Sequence, residues 1–314
     1  MHFIAVLNRD GGTLRTMDLE AFCTTAQQIF ERHGDTLDCR IVEGKAIERA
    51  LQKAADDPKA DALIAGGGDG TISAAAAIAF RSGVPLAVLP AGTMNLFARA
   101  LKMPLTLEAA LEAIADGEVG TVDIATANGR PFVHQFSVGI HARLIRIREN
   151  MTYRSRVGKM LASLRAIGAA AMAPPQFEAE LHTTKGVERR RVSGIAISNN
   201  PLGDGLIHAD GLDRHILGVY IAAPLTTLSL LRLAVDVFLG RWRESPMVSE
   251  KEIDEVTLRF PKRKHGAKAV VDGELINLDA SVTLKVHADG LNMVLPKTAQ
   301  IRNQSIPSPL RRIT

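Results

Sequence analysis

Six consecutive residues, Gly66-Gly67-Gly68-Asp69-Gly70-Thr71, are the part of this sequence best suited to chemistry. Glycine lets the backbone enter left-handed conformations and lets a ligand approach the main chain closely. An apolar run at 62–65 precedes them and a helix-forming stretch at 72–80 follows. That order predicts a buried strand, a tight turn and a helix N-terminus, where N–H groups and the helix dipole favour an anion. A phosphate group is the expected guest. Asp69 would repel it unless the carboxylate held a cation or a proton, so a plain glycine-rich turn does not account for the residue types. No G-x-x-x-x-G-K-[ST] occurs in the chain, and Thr71 stands where G-x-G-x-x-G needs its last glycine. Phosphate charge must then be met by metal, arginine or backbone instead of a Walker lysine.

These residues need a scaffold. Residues 2–8, 37–42, 62–65 and 85–89 read as strands. Between them, Leu19, Phe22, Cys23, Ala26, Ile29 and Phe30 keep helical spacing, with Thr16 as the expected cap and Gly34 as the stop. Ala46, Ile47, Ala50, Leu51 and Ala54 line a second helix. Repeated βα units predict a parallel sheet covered by helices, with ligands at the carboxyl ends of its strands. Two further loops fall at such ends: Asn8-Arg9-Asp10-Gly11-Gly12 and Pro90-Ala91-Gly92-Thr93-Met94-Asn95. From 119 onward the texture changes to short β-rich runs at 119–126, 132–139, 177–182, 192–198, 217–222, 255–259, 269–271 and 282–286. They predict an antiparallel sandwich with helical insertions near 160–171 and 226–239. Read alone, Asp210 is a turn carboxylate and Asp272-Gly273 a hairpin turn with Glu274 opening the next strand.

The 314 residues suffice for two domains, and 46% apolar with 23% charged residues describes a globular chain. The two cysteines, Cys23 and Cys39, have no metal-like spacing, and a reducing cytoplasm is the simple expectation. Residues 2–8 are too short and lack the basic flank of a signal peptide. Net charge is only +4, but Arg143, Arg146, Arg148, Arg154, Arg156, Lys159 and Arg165 face a single acid, Glu149. With aromatics at 4% and no nucleic-acid module, a nucleic-acid partner is not expected. An anionic membrane surface would attract the same cluster, as would plain solvent. Overlapping 143–165, Val157, Met160, Leu161, Leu164 and Ile167 keep to one helical face, the pattern of an interfacial helix. The uncharged part of 216–240 is too short to span a bilayer and contains Pro224. Arg232 and Asp236, four apart on the helix expected there, can pair.

Taken together, N-x-x-x-G at Asn8, GGGDGT, P-x-G-T-x-N-x-F-A-R from Pro90 to Arg99, S-x-G at Ser137, A-D-G-x-D from Ala209 to Asp213 and D-G-E at Asp272 form a combination. It resembles the lipid kinases of the diacylglycerol kinase and sphingosine kinase family, related to NAD kinases. The resemblance runs over about residues 1–296. It implies an α/β nucleotide-binding domain with a parallel sheet at 1–125, a β-sandwich lipid-substrate domain at 126–300, and a basic tail at 301–314 that could pack back on the first domain. It implies that Asn8, Arg9, Asp10, Gly11 and Gly12, Gly66 to Thr71 (Gly66, Gly67, Gly68, Asp69, Gly70, Thr71), and Gly92, Thr93 and Asn95 surround ATP. Asp210 and the backbone of Leu212 match a Mg²⁺ site of some bacterial members. Glu274 matches the proposed general base, with Asp69 as the alternative.

The chain departs from the family pattern at Leu96 and His141, where carboxylates are usual, and at Val42-Glu43, where a threonine is expected. The implied activity is ATP- and Mg²⁺-dependent phosphorylation of a lipid hydroxyl, diacylglycerol-like first. A sphingoid base, ceramide or other lipid alcohol is an alternative acceptor. An NAD kinase-like enzyme with a soluble substrate and a non-catalytic, nucleotide-gated lipid-binding protein are the other readings. The expected setting is cytoplasmic, peripheral on the inner face of an anionic membrane. Edge strands in either domain leave room for a homodimer.

Overall fold

Residues 3–7 and 62–65 are apolar without interruption, so neither run has a polar face to offer water; both suit strands buried on two sides of a parallel sheet. In the computed structural model, which describes residues 1–149, 174–204 and 207–297, both runs are almost fully buried. The chain divides into two compact units. The first holds Met1–Asp123, Gly211–Asp213 and the described residues 289–297; the second holds the described residues of Ile124–Asp210 and Arg214–Ala288.

The first unit runs β1 (His2–Asn8), α1 (Leu19–Arg32), β2 (Thr36–Val42), α2 (Ile47–Ala55), β3 (Ala62–Gly67), α3 (Asp69–Ser82), β4 (Leu86–Pro90), α4 (Leu96–Ala100) and α5 (Leu107–Ala115). Its strands are parallel in the order β2-β1-β3-β4. Register sets Leu7 beside Gly66 and Gly67 beside Pro90, so the loops after β1, β3 and β4 leave the same edge side by side. The strand order reverses between β1 and β3, the place where open α/β sheets bind ligands. Helix α1 packs through Phe30, whose ring meets Phe3 edge-on at 4.8 Å. Its cap is Asp18, not the expected Thr16: the Asp18 carboxylate accepts the Ala21 N–H at 3.1 Å, while Thr16 ends a 3-10 turn. Helix α5 was not foreseen, although Leu107, Ala110, Leu111 and Ile114 keep helical spacing and are buried.

Cys23 of α1 and Cys39 of β2 form a disulfide with a Cα separation of 6.0 Å. The sequence reading did not contain this link, because α1 is laid over β2 only by folding.

The second unit comprises the end of β5 (Glu118–Ala127), then β6 (Arg130–Phe132), β7 (Gln135–Gly139), α6 (Ile140–Glu149), β8 (Phe177–Thr183), β9 (Gly186–Val192), β10 (Gly194–Asn199), β11 (Leu217–Ala222), α7 (Thr227–Phe238), β12 (Val248–Ile253), β13 (Glu255–Arg259), β14 (Lys268–Val271), β15 (Glu274–Asn277) and the first half of β16 (Ser281–Leu295). One antiparallel sheet is ordered β12-β11-β10-β7-β14-β15; in the other layer β16, β13, β8 and β9 pair antiparallel. Phe136, Ile197 and Val219 of the first meet Leu181, Leu258 and Leu284 of the second in one buried core, the arrangement of a sandwich.

The expected run at 132–139 is broken into β6 and β7. The cause is Asp272, whose carboxylate accepts the N–H groups of Val133, His134 and Gln135, each at 2.9 Å, and so pulls that backbone out of the ladder. The arginines at 189–191 lie in β9, a terminal strand, where Arg189 pairs with Glu180 and Arg190 with Glu188. The Arg189 hydrogen bond holds the Glu180 carboxyl below its ordinary range, and Lys251 does the same for Glu188. A charged edge of this kind resists pairing with another strand. Burial pushes Tyr220 up to about 12; its ring packs on Trp242 at 5.2 Å and its hydroxyl accepts the Leu202 N–H at 2.7 Å.

Thr226 and Ser229 form a capping box at the start of α7. Arg232 and Asp236 are not joined by an ion pair, contrary to the expectation for that helix. No helix among the described residues is long and apolar enough to cross a membrane. The helix expected near 160–171, the side chains of Arg154, Arg156 and Lys159, and the tail at 301–314 lie outside the described residues.

The Cys23–Cys39 disulfide joins residues 16 positions apart, and closing a loop of that size stabilises by about 3 kcal/mol in the chain-entropy account. Reductant should therefore lower the thermal midpoint of the first unit by several degrees, read by calorimetry with and without dithiothreitol. Identical scans would remove the link from the account.

Candidate functional site

Three loops at the carboxyl edge of the first unit's sheet are tied to one another by specific groups. After β1, the Asn8 side chain accepts the Asp10 N–H at 3.1 Å and donates to Thr71 Oγ1 at 3.0 Å. Asp10 in turn accepts the Gly44 N–H at 2.8 Å. Gly12 has φ +44, and a Cβ there would lie 1.7 Å from the Ala91 carbonyl oxygen, so only glycine fits where this loop passes the one after β4. Thr13 N–H donates to that same Ala91 oxygen at 2.8 Å. Arg9 is exposed beside them.

Asp69 is the first residue of α3, within the helix and not in the turn before it. Its Oδ1 accepts the Leu96 N–H at 2.7 Å and its Oδ2 accepts the Asn95 N–H at 3.2 Å. This carboxylate therefore caps the next helix, α4, from a distance. Asn95 takes a left-handed conformation (φ 52), which asparagine tolerates, and closes the turn by accepting the Gly92 N–H at 2.8 Å and donating to the Gly92 oxygen at 3.1 Å. Leu96, at the place of the usual carboxylate, contributes its backbone N–H to this lock.

Around these bonds the main chain is bare. A Cβ on Gly92 would come within 2.8 Å of Gly68 Cα and 3.4 Å of Asp69 N, whereas Gly70 has nothing within 4 Å. Gly68 offers no side-chain cap to α3. A side chain at Gly70 would thus meet open space, and the first-turn amides of α3, given no side-chain cap, are groups of the type that bind anions at helix N-termini. Thr93 is exposed, and Gly66, Gly67 and Thr71 are buried.

The second unit holds Glu274. Asp272 (φ 46) and Gly273 (φ 88) make the two-residue turn of the β14–β15 hairpin, and Val271 faces Glu274 across it, a pairing typical of left-handed hairpin turns. Glu274 is exposed and its Oε2 accepts from Arg130 at 2.6 Å. Sequence reasoning missed Arg130, which nothing in the local pattern connects to a residue so distant in the chain. His141, the other departure, has its Nδ1 2.6 Å from Ser137 Oγ. Asp210 is exposed in the second unit, while Leu212 belongs to the first, where its carbonyl accepts the Asp123 N–H at 2.6 Å.

The second unit also contains a groove of 1070 Å³. Val138, Phe177, Phe260 and Leu278 supply apolar wall, and Arg143, Arg146, Arg191, Lys262, Lys264 and Lys268 supply charge. Glu178 is the sole carboxylate among its described lining residues and is paired with Lys262 at 3.0 Å.

Comparison with known proteins gives a consistent picture. The diacylglycerol kinase catalytic domain family matches residues 2–127. The chain is 28% identical over 271 residues to an uncharacterised protein of Synechocystis, covering 81% of this chain and 60% of that one. It is 42% identical over 89 residues to a diacylglycerol kinase of Staphylococcus epidermidis, covering 28% and 27%. The chain thus spans less than two thirds of the length of these relatives. In fold it is similar to a crystal structure of a diacylglycerol kinase from Bacillus anthracis, with a TM-score of 0.67 at 16% identity, covering 95% of this chain and 98% of that one. A second structure from that organism gives 0.73 at 18% identity, covering 95% and 98%.

Replacing Asp69 by alanine leaves two partly buried N–H groups without an acceptor, a loss of about 1–3 kcal/mol. Asp69→Ala should lower the thermal midpoint by several degrees and accelerate hydrogen exchange at the Leu96 amide. Exchange unchanged from the wild type would show that the carboxylate does not hold α4.

Proposed function

We propose, for a chain that belongs to the diacylglycerol kinase catalytic-domain family, that it is an ATP-dependent lipid kinase, with a diacylglycerol-like alcohol as the first choice of acceptor. The oxygen of the lipid hydroxyl attacks the γ-phosphorus of ATP, the bond to the bridging oxygen breaks, and ADP leaves. The protein's share of such a reaction is positioning and charge stabilisation.

The first unit takes the nucleotide. The glycine-bare main chain at Gly68, Gly70 and Gly92 leaves room for phosphate oxygens against the α3 amides, and Asn8, Arg9, Asp10 and Thr93 stand around them. Mg²⁺, when bound, offsets phosphate charge. Asp69 fits it: each oxygen accepts one amide and keeps a lone pair for a hard cation. Leu212 likewise retains one carbonyl lone pair, and Asp210 is exposed for the role the family resemblance gives it. With both oxygens engaged by backbone, Asp69 serves as scaffold and nucleotide ligand. The proton of the acceptor hydroxyl goes to Glu274, whose carboxylate is exposed and oriented by Arg130.

One observation carries the acceptor class: the apolar wall of the second unit's groove with cations about it. At 1070 Å³ it slightly exceeds the usual range of ligand pockets, about 300–1,000 Å³. Acyl chains suit such a wall.

The test is turnover of labelled ATP and Mg²⁺ with diacylglycerol, sphingoid base, ceramide, glycerophospholipid and NAD in parallel. Label should enter organic-extractable lipid, and Glu274→Gln should lower kcat at least 100-fold with ATP affinity retained. Label in NAD, or ATP binding without any product, would overturn the reading.

A further inference from the structure

Helix α7 has two apolar faces: one is covered except at its end, where Val237 is 44% exposed, and the other is open. Leu230 and Leu233 are buried in a cluster with Leu225, Ile140, Met247 and Val248. Leu228, Leu231, Val235, Phe238 and the following Leu239 are exposed, Leu228 at 78% and Phe238 at 88%. At about 100° per residue these five share a stripe roughly 100° wide, about 160° round the helix from the buried pair. A helix apolar on opposite sides is ordinarily enclosed on both, and an open apolar patch marks an interaction surface.

We propose that this stripe seats the second unit on an anionic bilayer surface, with α7 lying along the interface and its apolar side chains among the acyl chains. The inference rests on the lipid-kinase reading for its occupant. Charge agrees with that occupant: exposed Arg232 borders the stripe on the helical wheel, no carboxylate lies within it, and Asp236 to one side is partly buried. The basic groove is carried by the same packed elements. Gln176 of its wall donates to the Leu225 carbonyl at 3.2 Å, and Ile140, next to Gly139 of the wall, packs in the α7 cluster. A second copy of the chain is a poorer fit. Twelve residues of helix rise only about 18 Å, a strip far short of the roughly 800 Å² per partner that stable association needs.

The whole protein, without ATP, is floated with phosphatidylcholine vesicles with and without phosphatidylglycerol. Wild type should bind the anionic vesicles and be released by salt. Leu231→Ser/Val235→Ser/Phe238→Ser, which touches only exposed positions, should lower that binding at least tenfold while turnover of a micelle-dispersed short-chain acceptor is unchanged. If the triple variant fails to fold, Phe238→Ser alone should give the same direction of loss. Equal vesicle binding by wild type and folded variant overturns the proposal, as does a wild-type dimer that the variant abolishes in sedimentation. Loss of turnover with vesicle binding intact would strike the kinase reading and leave the docking surface standing.

Discussion

The carboxylate of Asp69 accepts two main-chain N–H groups from Asn95 and Leu96, residues 26 and 27 positions further along the chain. Much of the first unit's site follows from this contact. It fixes the entry of α4, and with it the turn in which Gly92 approaches Gly68. That turn also carries Ala91, whose oxygen receives the loop after β1 through Thr13. Three loops from three strands thus share one small set of bonds. Hydrogen bonds to an ionised carboxylate are about twice as strong as neutral ones, which suits a contact on which three loops depend.

The second unit repeats the device in another architecture. Asp272, also followed by glycine, accepts three consecutive N–H groups from residues 133–135 and so ties the β14–β15 hairpin to the start of β7. In both units the aspartate of an Asp-Gly pair holds backbone, and a position close by stays open: Gly70, with nothing within 4 Å of a Cβ, in one, and exposed Glu274 in the other. An aspartate in a glycine-rich turn therefore need not be a reacting group. Its value here lies in holding backbone that has no side chains of its own to hold it.

How far this could be read beforehand depended on range. The parallel sheet was legible because residues 3–7, 62–65 and 86–89 are apolar without alternation, and the glycine loops because Gly12 and Gly92 stand where backbone passes backbone. The partners of Asp69 were not legible. They depend on a left-handed Asn95 and on the register that sets Gly67 beside Pro90, neither of which is local. Helix α6 hid for another reason: Ile140-His141-Ala142-Arg143-Leu144-Ile145-Arg146-Ile147-Arg148 mixes apolar and basic residues almost in alternation, which suits a strand as well as a helix. The Arg189-Arg190-Arg191 run lies in an edge strand, with Glu180 across from Arg189 and Glu178 across from Arg191. The Cys23–Cys39 link and the Arg130–Glu274 pair join residues that only the finished fold brings together.

The central claim is that the glycine-bare start of α3 exists for a nucleotide phosphate and not for the fold. Gly70 separates the two, since a Cβ there would touch nothing within 4 Å. The decisive measurement is calorimetric titration of Mg·ATP into wild type and Gly70→Val, with thermal midpoints taken alongside. The account predicts a midpoint equal to or above the wild type, because glycine is a poor helix former, together with affinity weakened at least tenfold. Wild-type affinity in a folded Gly70→Val protein would contradict it.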